Sequence, residues 1–369
     1  MSITPSHYNT IKENSVYGRY VVNEQILDFL SRNEDRHQVK TIGSSVQGRP
    51  IKSLQMGAGP IKVLMWSQMH GNESTTTKAV LDLVNFLNEG TSVAESILKH
   101  CTLLIIPMLN PDGASVYTRV NANQVDLNRD AQERTQPESV VLRGVFDAFQ
   151  PDYCLNLHDQ RTIFNVGLTD KPATVSFLAP AHDPERSISK TRGVSMQLIV
   201  AMNQLLQKMI PGQVGRYDDA FNANCIGDSF QMLNVPTILF ESGHYPGDYE
   251  RERTREYIFY ALLKVLEVIS ENNIDAYPQQ AYFDIPENGK LFYDILIKNA
   301  QVLGEKWGDG EAIGILYVET LKGNTLEFVP SLAKSGKLDG CFGHKTYDCL
   351  NEAEREELRQ QSFYQLIKA

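Results

Sequence analysis

IKVLMWS (Ile61–Ser67), QMHGNES (68–74) and TTTKAVLDLVNFL (Thr75–Leu87) follow one another without a break, and their reading decides the fold. The first run is apolar and short, as a buried strand is; the last spaces Ala79, Val80, Leu83, Val84 and Leu87 as one face of a helix. Between them lies a polar turn carrying His70 and Glu73. A strand that passes at once into a helix, with ionisable residues on the turn, is the unit of an α/β sheet whose ligands collect at strand ends.

Working outward, the same alternation recurs. Residues 103–109 form another apolar run, 139–149 a helical pattern, 153–157 a short strand, 187–209 a long amphipathic helix, 237–240 a strand and 249–270 a helix. Upstream, helix-spaced apolar residues at 21–33 precede two strand-like runs, 39–44 and 51–56, separated by the turn signal Gln47-Gly48-Arg49-Pro50, which predicts a hairpin. The fold class expected is therefore α/β: a mixed, largely parallel central sheet flanked by helices. Beyond Tyr277-Pro278 the character changes. Strand-like runs at 292–297, 313–320 and 326–329 alternate with glycine-rich turns, and a charged helix at 351–367 closes the chain. Residues 1–274 are expected to form the main domain and 275–369 a small, mainly β appendage.

Composition narrows the function classes. With 369 residues and 42% hydrophobic content the chain can bury a sizeable core. A net charge of −10 and the lack of any run of Lys or Arg speak against a nucleic-acid partner. No stretch approaches the roughly 20 apolar residues of a membrane span. The N-terminus lacks a basic start followed by an apolar run, so no secretory signal is expected. Five cysteines without dense spacing read as reduced thiols of a cytoplasmic protein, with Cys101 and Cys154 in the core.

Four strand-like segments end in a polar or ionisable residue: Ile61–Ser67 leads to His70 and Glu73, 103–109 to Asn110-Pro111-Asp112-Gly113, 153–157 to His158, and 237–240 to Glu241. If these strands are parallel neighbours, His70, Glu73, His158 and Glu241 converge at one sheet edge. Two histidines and a carboxylate are a catalytic zinc set with one position left open. His-Gly-Asn-Glu differs from HExxH, because its ligands sit on a turn, where Gly71 is expected to let the backbone bend tightly. Alone the motif is weak and also fits a turn that caps a helix.

In order, His70-Gly-Asn-Glu73, Asn110-Pro-Asp-Gly113, Arg119, Val125-Asp126-Leu127-Asn128-Arg129, Leu157-His158 and Phe240-Glu241 resemble the zinc metallocarboxypeptidases of the carboxypeptidase A type, over roughly residues 35–270. The resemblance implies that His70, Glu73 and His158 bind one Zn2+ per chain and that Glu241 is the general base activating water at the zinc. It implies that Arg119 stabilises the oxyanion, that Asn128 and Arg129 grip a terminal carboxylate, and that Asp126 orients the first histidine. The reaction implied is hydrolysis of an amide bond next to a free carboxylate, with a peptide or N-acyl amino acid as substrate and no membrane partner; an oligomer is possible.

The sequence also departs from that pattern. Asp130 puts a negative charge after Arg129, where the family often has Asn. A mobile tyrosine often precedes the base by some twenty residues; Tyr217 and Phe221 are both near the place. Residues 221–230 are expected to wall the specificity pocket and offer Asn222, Asn224, Cys225 and Asp228. Two alternatives share much of the pattern: deacylases of the aspartoacylase and succinylglutamate desuccinylase type, and a cell-wall peptide amidase. A catalytically idle binding protein is the alternative from another class.

Overall fold

The computed structural model describes residues 5–368. The backbone divides into two compact units: residues 1–160 with 173–288, and residues 161–172 with 289–369.

The large unit is an α/β layer structure. Its strands are β1 (Gln38–Ser44), β2 (Pro50–Met56), β3 (Ile61–Ser67), β4 (Cys101–Ile106) and β5 (Tyr153–Asp159), followed by β7 (Val175–Leu178), β8 (Val214–Arg216) and β9 (Thr237–Ser242). A dipeptide strand, β6 (Asn165–Val166), falls in the excursion to the small unit. Strand order is β1-β2-β4-β3-β5-β9-β7-β8. β3, β4, β5 and β9 run parallel; β1 and β2 pair antiparallel, as do β2 with β4 and β7 with β9. The sheet is mixed, as expected.

The helices are α1 (Pro5–Ile11), α2 (Asn23–Ser31), α3 (Thr75–Leu87), α4 (Ser92–His100), α5 (Pro111–Ser115), α6 (Pro137–Phe149), α7 (Lys190–Leu206), α8 (Ile226–Met232) and α9 (Glu252–Ser270). Side chains alternate across a strand, and the two sheet faces are separate cores. Val63, Met65, Leu155, Leu157 and Phe240 pack with α3, α7 and α9. Leu64, Trp66, Ile106 and Cys154 pack instead with Leu142 and Phe146 of α6 and with Ile226 and Phe230 of α8.

Beneath the first face lies a buried ionic network. Arg255 of α9 donates to both oxygens of Asp82 on α3, at 2.6 and 2.7 Å, and to Glu252 at 3.1 Å. Lys78 meets Glu252 at 2.5 Å, and Tyr8 donates to Asp82 at 2.8 Å. Every charge taken out of water here has an opposite charge in contact, the condition for tolerating such burial. Among the described residues no helix is long and apolar enough to cross a membrane. The five cysteines are free thiols, and Cys101 and Cys154 are buried.

The small unit is built on β11 (Phe292–Lys298), β12 (Ala312–Lys322), β13 (Thr325–Gly336) and β14 (Phe342–Asp348), in the order β13-β12-β11-β14, after a second dipeptide strand, β10 (Asn288–Gly289). One face packs on α10 (Glu352–Arg359) through Ile295, Ile297, Ile313, Ile315, Tyr347 and Leu358. The charged helix expected over 351–367 stops at Arg359; a 3-10 turn, Ser362–Leu366, lets Phe363 and Ile367 reach the same core.

The division differs from the boundary expected at 274/275. Pro278 ends the helical pattern but not the packing: Tyr282 and Ile285 belong to the large core, and Ala179 N donates to the Tyr282 hydroxyl at 3.2 Å. Residues 275–288 therefore stay with the large unit. Residues 161–172, which carry no change of composition, leave it.

Candidate active site

The parallel strands bring the ligand candidates to one edge. His70 and Glu73 lie on the turn after β3, whereas His158 and Glu241 pair in register on β5 and β9. His70 and His158 are 1% and 2% exposed. His70 Nδ1 lies 2.8 Å from Glu73 Oε1, His158 Nδ1 lies 2.9 Å from Glu73 Oε2, and the two Nδ1 atoms are 3.1 Å apart. One ligand atom from each residue falls within 4.8 Å of the others, an arrangement that can hold a metal ion.

The surroundings fit such an ion. Asp126 Oδ1 accepts from His70 Nε2 at 3.0 Å, which puts that proton on Nε2 and turns the Nδ1 lone pair inward. Two imidazole nitrogens and a carboxylate then face one point, the donor set of a catalytic zinc site. Burial drives the Glu73 carboxyl up, but His70 and His158 outweigh it and hold the group well below its ordinary range. Burial lowers His158, and only in part does Glu73 offset that, so the ring is kept neutral, as a metal ligand must be.

Gly71 has a different role from the one expected. Its φ is not positive. A Cβ there would lie 2.0 Å from the Gly113 carbonyl carbon, so the glycine is needed for close approach of two backbones. Asn110-Pro-Asp-Gly113 is the other side of that contact. Asn110 accepts from Gly113 N at 2.8 Å and donates to Met69 O at 3.1 Å, while Asp112 is occupied by Ser45, Gln47 and Arg49. This motif holds the His70 turn in place.

Arg119, half-exposed, reaches Glu73 Oε1 at 3.1 Å and Asp126 Oδ2 at 3.0 Å. Asp126 caps a 3-10 turn, Leu127–Arg129, by accepting from Asn128 N. Asn128 Oδ1 accepts from Ile226 N at 3.1 Å, tying this turn to α8. Arg129 is exposed and donates to Asn128 O at 2.7 Å. The charge of Asp130 is not directed at Arg129: its carboxylate accepts from Thr135 N, Thr135 Oγ1 and Gln136 N. Tyr217 is half-buried beyond β8; burial and the carboxylates of Glu241 and Glu73 push its hydroxyl pKa up.

Glu241 is 8% exposed, and its Oε2 has no hydrogen-bond partner among the protein atoms. Burial raises its pKa well above the carboxylate range, helped by Glu73 and Asp159 and opposed by Arg119 and Arg251. His244 packs its ring at 4.6 Å from that of Tyr249.

Two residues that hold the site together carried no motif. The Asp159 carboxylate accepts from Thr75 N at 2.9 Å and Thr76 N at 3.3 Å, at the start of α3, and from the Ser242 hydroxyl. Arg251 is fully buried and in the left-handed region (φ 59°). It donates to Ser242 O at 2.5 Å and Gln160 O at 2.6 Å, bridging the strands of His158 and Glu241. The position of Asp159, next to His158 in the chain, was the only available signal for either.

Comparison with known proteins agrees with this geometry. Residues 23–160 match the zinc carboxypeptidase family model. Carboxypeptidase SOL1 of Arabidopsis thaliana is 32% identical over 119 residues, 30% of this chain and 24% of that protein. Human carboxypeptidase D is 26% identical over 270 residues, 64% of this chain and 19% of that protein. The chain thus spans a quarter or less of the length of these relatives. A crystal structure of a metallo-carboxypeptidase from Burkholderia cenocepacia superposes with a TM-score of 0.53 at 20% identity, over 67% of this chain and 69% of that one. The chain therefore carries the zinc carboxypeptidase signature across residues 23–160 and shares the metallocarboxypeptidase fold.

Proposed function

We propose that this chain is a zinc-dependent carboxypeptidase, which hydrolyses the amide bond next to a free terminal carboxylate. One observation carries the reading: His70, Glu73 and His158 converge within ligand reach, and Glu241 is the strand neighbour of His158. The three ligands would hold one Zn2+, which when bound supplies a Lewis acid that polarises the scissile carbonyl and acidifies water.

The chain's own residues do the rest. Glu241, the strand neighbour of His158, is the base that takes a proton from the attacking water and passes it to the leaving amine. Arg119 places a cation where the oxyanion develops, an interaction stronger in the transition state than in the ground state. Asn128 spends its carbonyl on Ile226 N and keeps its amide N–H groups for the substrate carboxylate, beside the planar fork of Arg129. Tyr217 borders the same space, with its proton retained at neutral pH. Free cysteines suit a reducing compartment, and a cytoplasmic location is part of the proposal.

Metal analysis should find one zinc per chain. Glu241→Gln should keep that zinc and lose about 10²- to 10⁴-fold in turnover. Turnover of this variant at the wild-type rate would refute the mechanism. Peptides, N-acyl amino acids and muropeptides assayed side by side separate the carboxypeptidase from the deacylase and cell-wall amidase readings; zinc-free protein inert on all three would make it a binding protein.

A further inference from the structure

A cavity of about 370 Å³ lies between α7 and α9, within the large unit, and no residue of the candidate active site lines it. α7 and the turn that closes it contribute Ala201, Leu205 and Met209, which recur every four residues and so share one helix face. α9 contributes Tyr260 and Leu263, three apart on its own facing side. Tyr277 stands at the Ala201 end, because Gln197 Nε2, one turn before Ala201, donates to Tyr277 O at 3.0 Å. From Ala201 to Met209 the wall runs roughly 12 Å, at about 1.5 Å per residue. Leu205, Met209 and Tyr277 touch the main core yet stay half-buried, so their remaining apolar surface faces the cavity. A cleft of this volume, mainly apolar with a few polar groups at its edge, has the form of a small-molecule site.

The charges around the cavity do not cancel. At the Tyr277 end Lys264 lies 3.9 Å from Glu267, with its Nζ 5.8 Å from the Tyr277 ring centroid, so these two offset one another. At the other end the Tyr260 hydroxyl donates to Glu256 at 3.5 Å, and Glu256 is itself paired with Arg253 at 3.4 Å. Lys208 lines the same end, is exposed, and has no ion pair among the described residues. One uncompensated cation thus stands at the mouth of an elongated apolar slot. We infer that the slot binds a medium-chain aliphatic carboxylate, its head group at Lys208 and its chain running past Leu205 and Ala201 toward Tyr277. An aliphatic ammonium would meet Lys208 with like charge. A compact anion such as phosphate would leave the apolar wall uncovered. Carbon–carbon bonds advance an extended chain by about 1.3 Å each, so about nine carbons fill the 12 Å estimated from the helix rise. Burial of the chain supplies most of the affinity, about fourfold per methylene, and the partly solvated ion pair adds direction more than strength.

The test is calorimetric binding of butanoate, hexanoate, octanoate, dodecanoate and octylammonium to the full chain, with zinc bound and after zinc removal. Affinity should climb about fourfold per methylene from butanoate to octanoate and level off before dodecanoate, equally in both forms of the protein. Octanoate should bind better than octylammonium on the wild-type chain. Lys208→Glu, at an exposed position that the fold does not depend on, should weaken octanoate about 5- to 30-fold and strengthen octylammonium. Leu205→Trp, which fills the slot from a half-buried position, should weaken both. No saturable binding by any of the carboxylates would overturn the proposal, as would affinity independent of chain length. Octanoate binding that is lost with zinc, or that Lys208→Glu leaves unchanged, would place the anion elsewhere and overturn it too. None of these outcomes bears on the carboxypeptidase reading, which uses other residues.

Discussion

Replacing Asp126 with asparagine should loosen the metal without unfolding the chain. Its carboxylate takes three hydrogen bonds: Oδ1 accepts from His70 Nε2 at 3.0 Å and Asn128 N at 2.9 Å, and Oδ2 accepts from Arg119 Nε at 3.0 Å. Burial pushes the carboxyl up, but His70 and Arg119 outweigh it and hold the group far below the ordinary range. An asparagine of the same shape can keep its oxygen toward His70 and Asn128. Its amide N–H then faces the Arg119 N–H, donor against donor; flipped, it faces His70 in the same conflict. At least one charge-assisted bond is lost, worth about 1.5–3 kcal/mol. Loss of a carboxylate behind a metal-ligating histidine costs about 10- to 100-fold in affinity, or roughly 1.4–2.7 kcal/mol. The two routes agree, and because the Asp126 side chain is 24% exposed the lower half of the range is expected. Competition for zinc against a chromophoric chelator at neutral pH measures it, with thermal unfolding run in parallel. A folded Asp126→Asn protein that binds zinc within about twofold of wild type would show that this carboxylate does not orient His70.

Two further perturbations probe the frame around the site. Gly71→Ala forces a methyl group to 2.0 Å from the Gly113 backbone, so stability should drop by about 3 kcal/mol or more in denaturant unfolding; a loss below about 0.5 kcal/mol would contradict the close approach. Glu252 is held at about 2, against an ordinary 4.5, by Lys78 and Arg255 in spite of burial. Its folded pKa is depressed, so its contribution is fully present above pH 4.5 and is lost as pH falls toward 2. The shift is worth about 3 kcal/mol, and Glu252→Gln should flatten that limb of a stability–pH curve; an unchanged limb would assign acid unfolding to other groups.

Much of this was legible in the chain, for physical reasons that also mark the limits. β3 and α3 fall at the expected residues because an apolar run bounded by polar turn residues and a thirteen-residue amphipathic pattern are strong local signals. His70, Glu73, His158 and Glu241 were readable because strand ends in a parallel sheet collect ligands. β7 and β8, four and three residues long, are too short to show a period, and α4 was passed over despite the Thr91 cap. Arg251 and Asp159 act mainly on backbone groups that only the tertiary fold brings near, so no side-chain pattern announces them. Gly71 was recognised as necessary for the wrong reason, since a close approach between segments forty residues apart leaves no local mark.

The excursion of residues 161–172 leaves the large unit at Gln160 and returns at Ala173, and Gln160 Nε2 donates to Ala173 O across 2.6 Å. The two crossing points are therefore side by side, so the intervening dozen residues form a loop with touching ends rather than a linker between lobes. Inserting or lengthening such a loop costs the host little closure entropy, which is how one compact body can acquire a second in mid-chain. It also means that shortening the chain from its C-terminus cannot separate the two bodies. Whatever is cut away beyond residue 288, residues 161–172 of the small one remain in the chain, beginning three residues after His158.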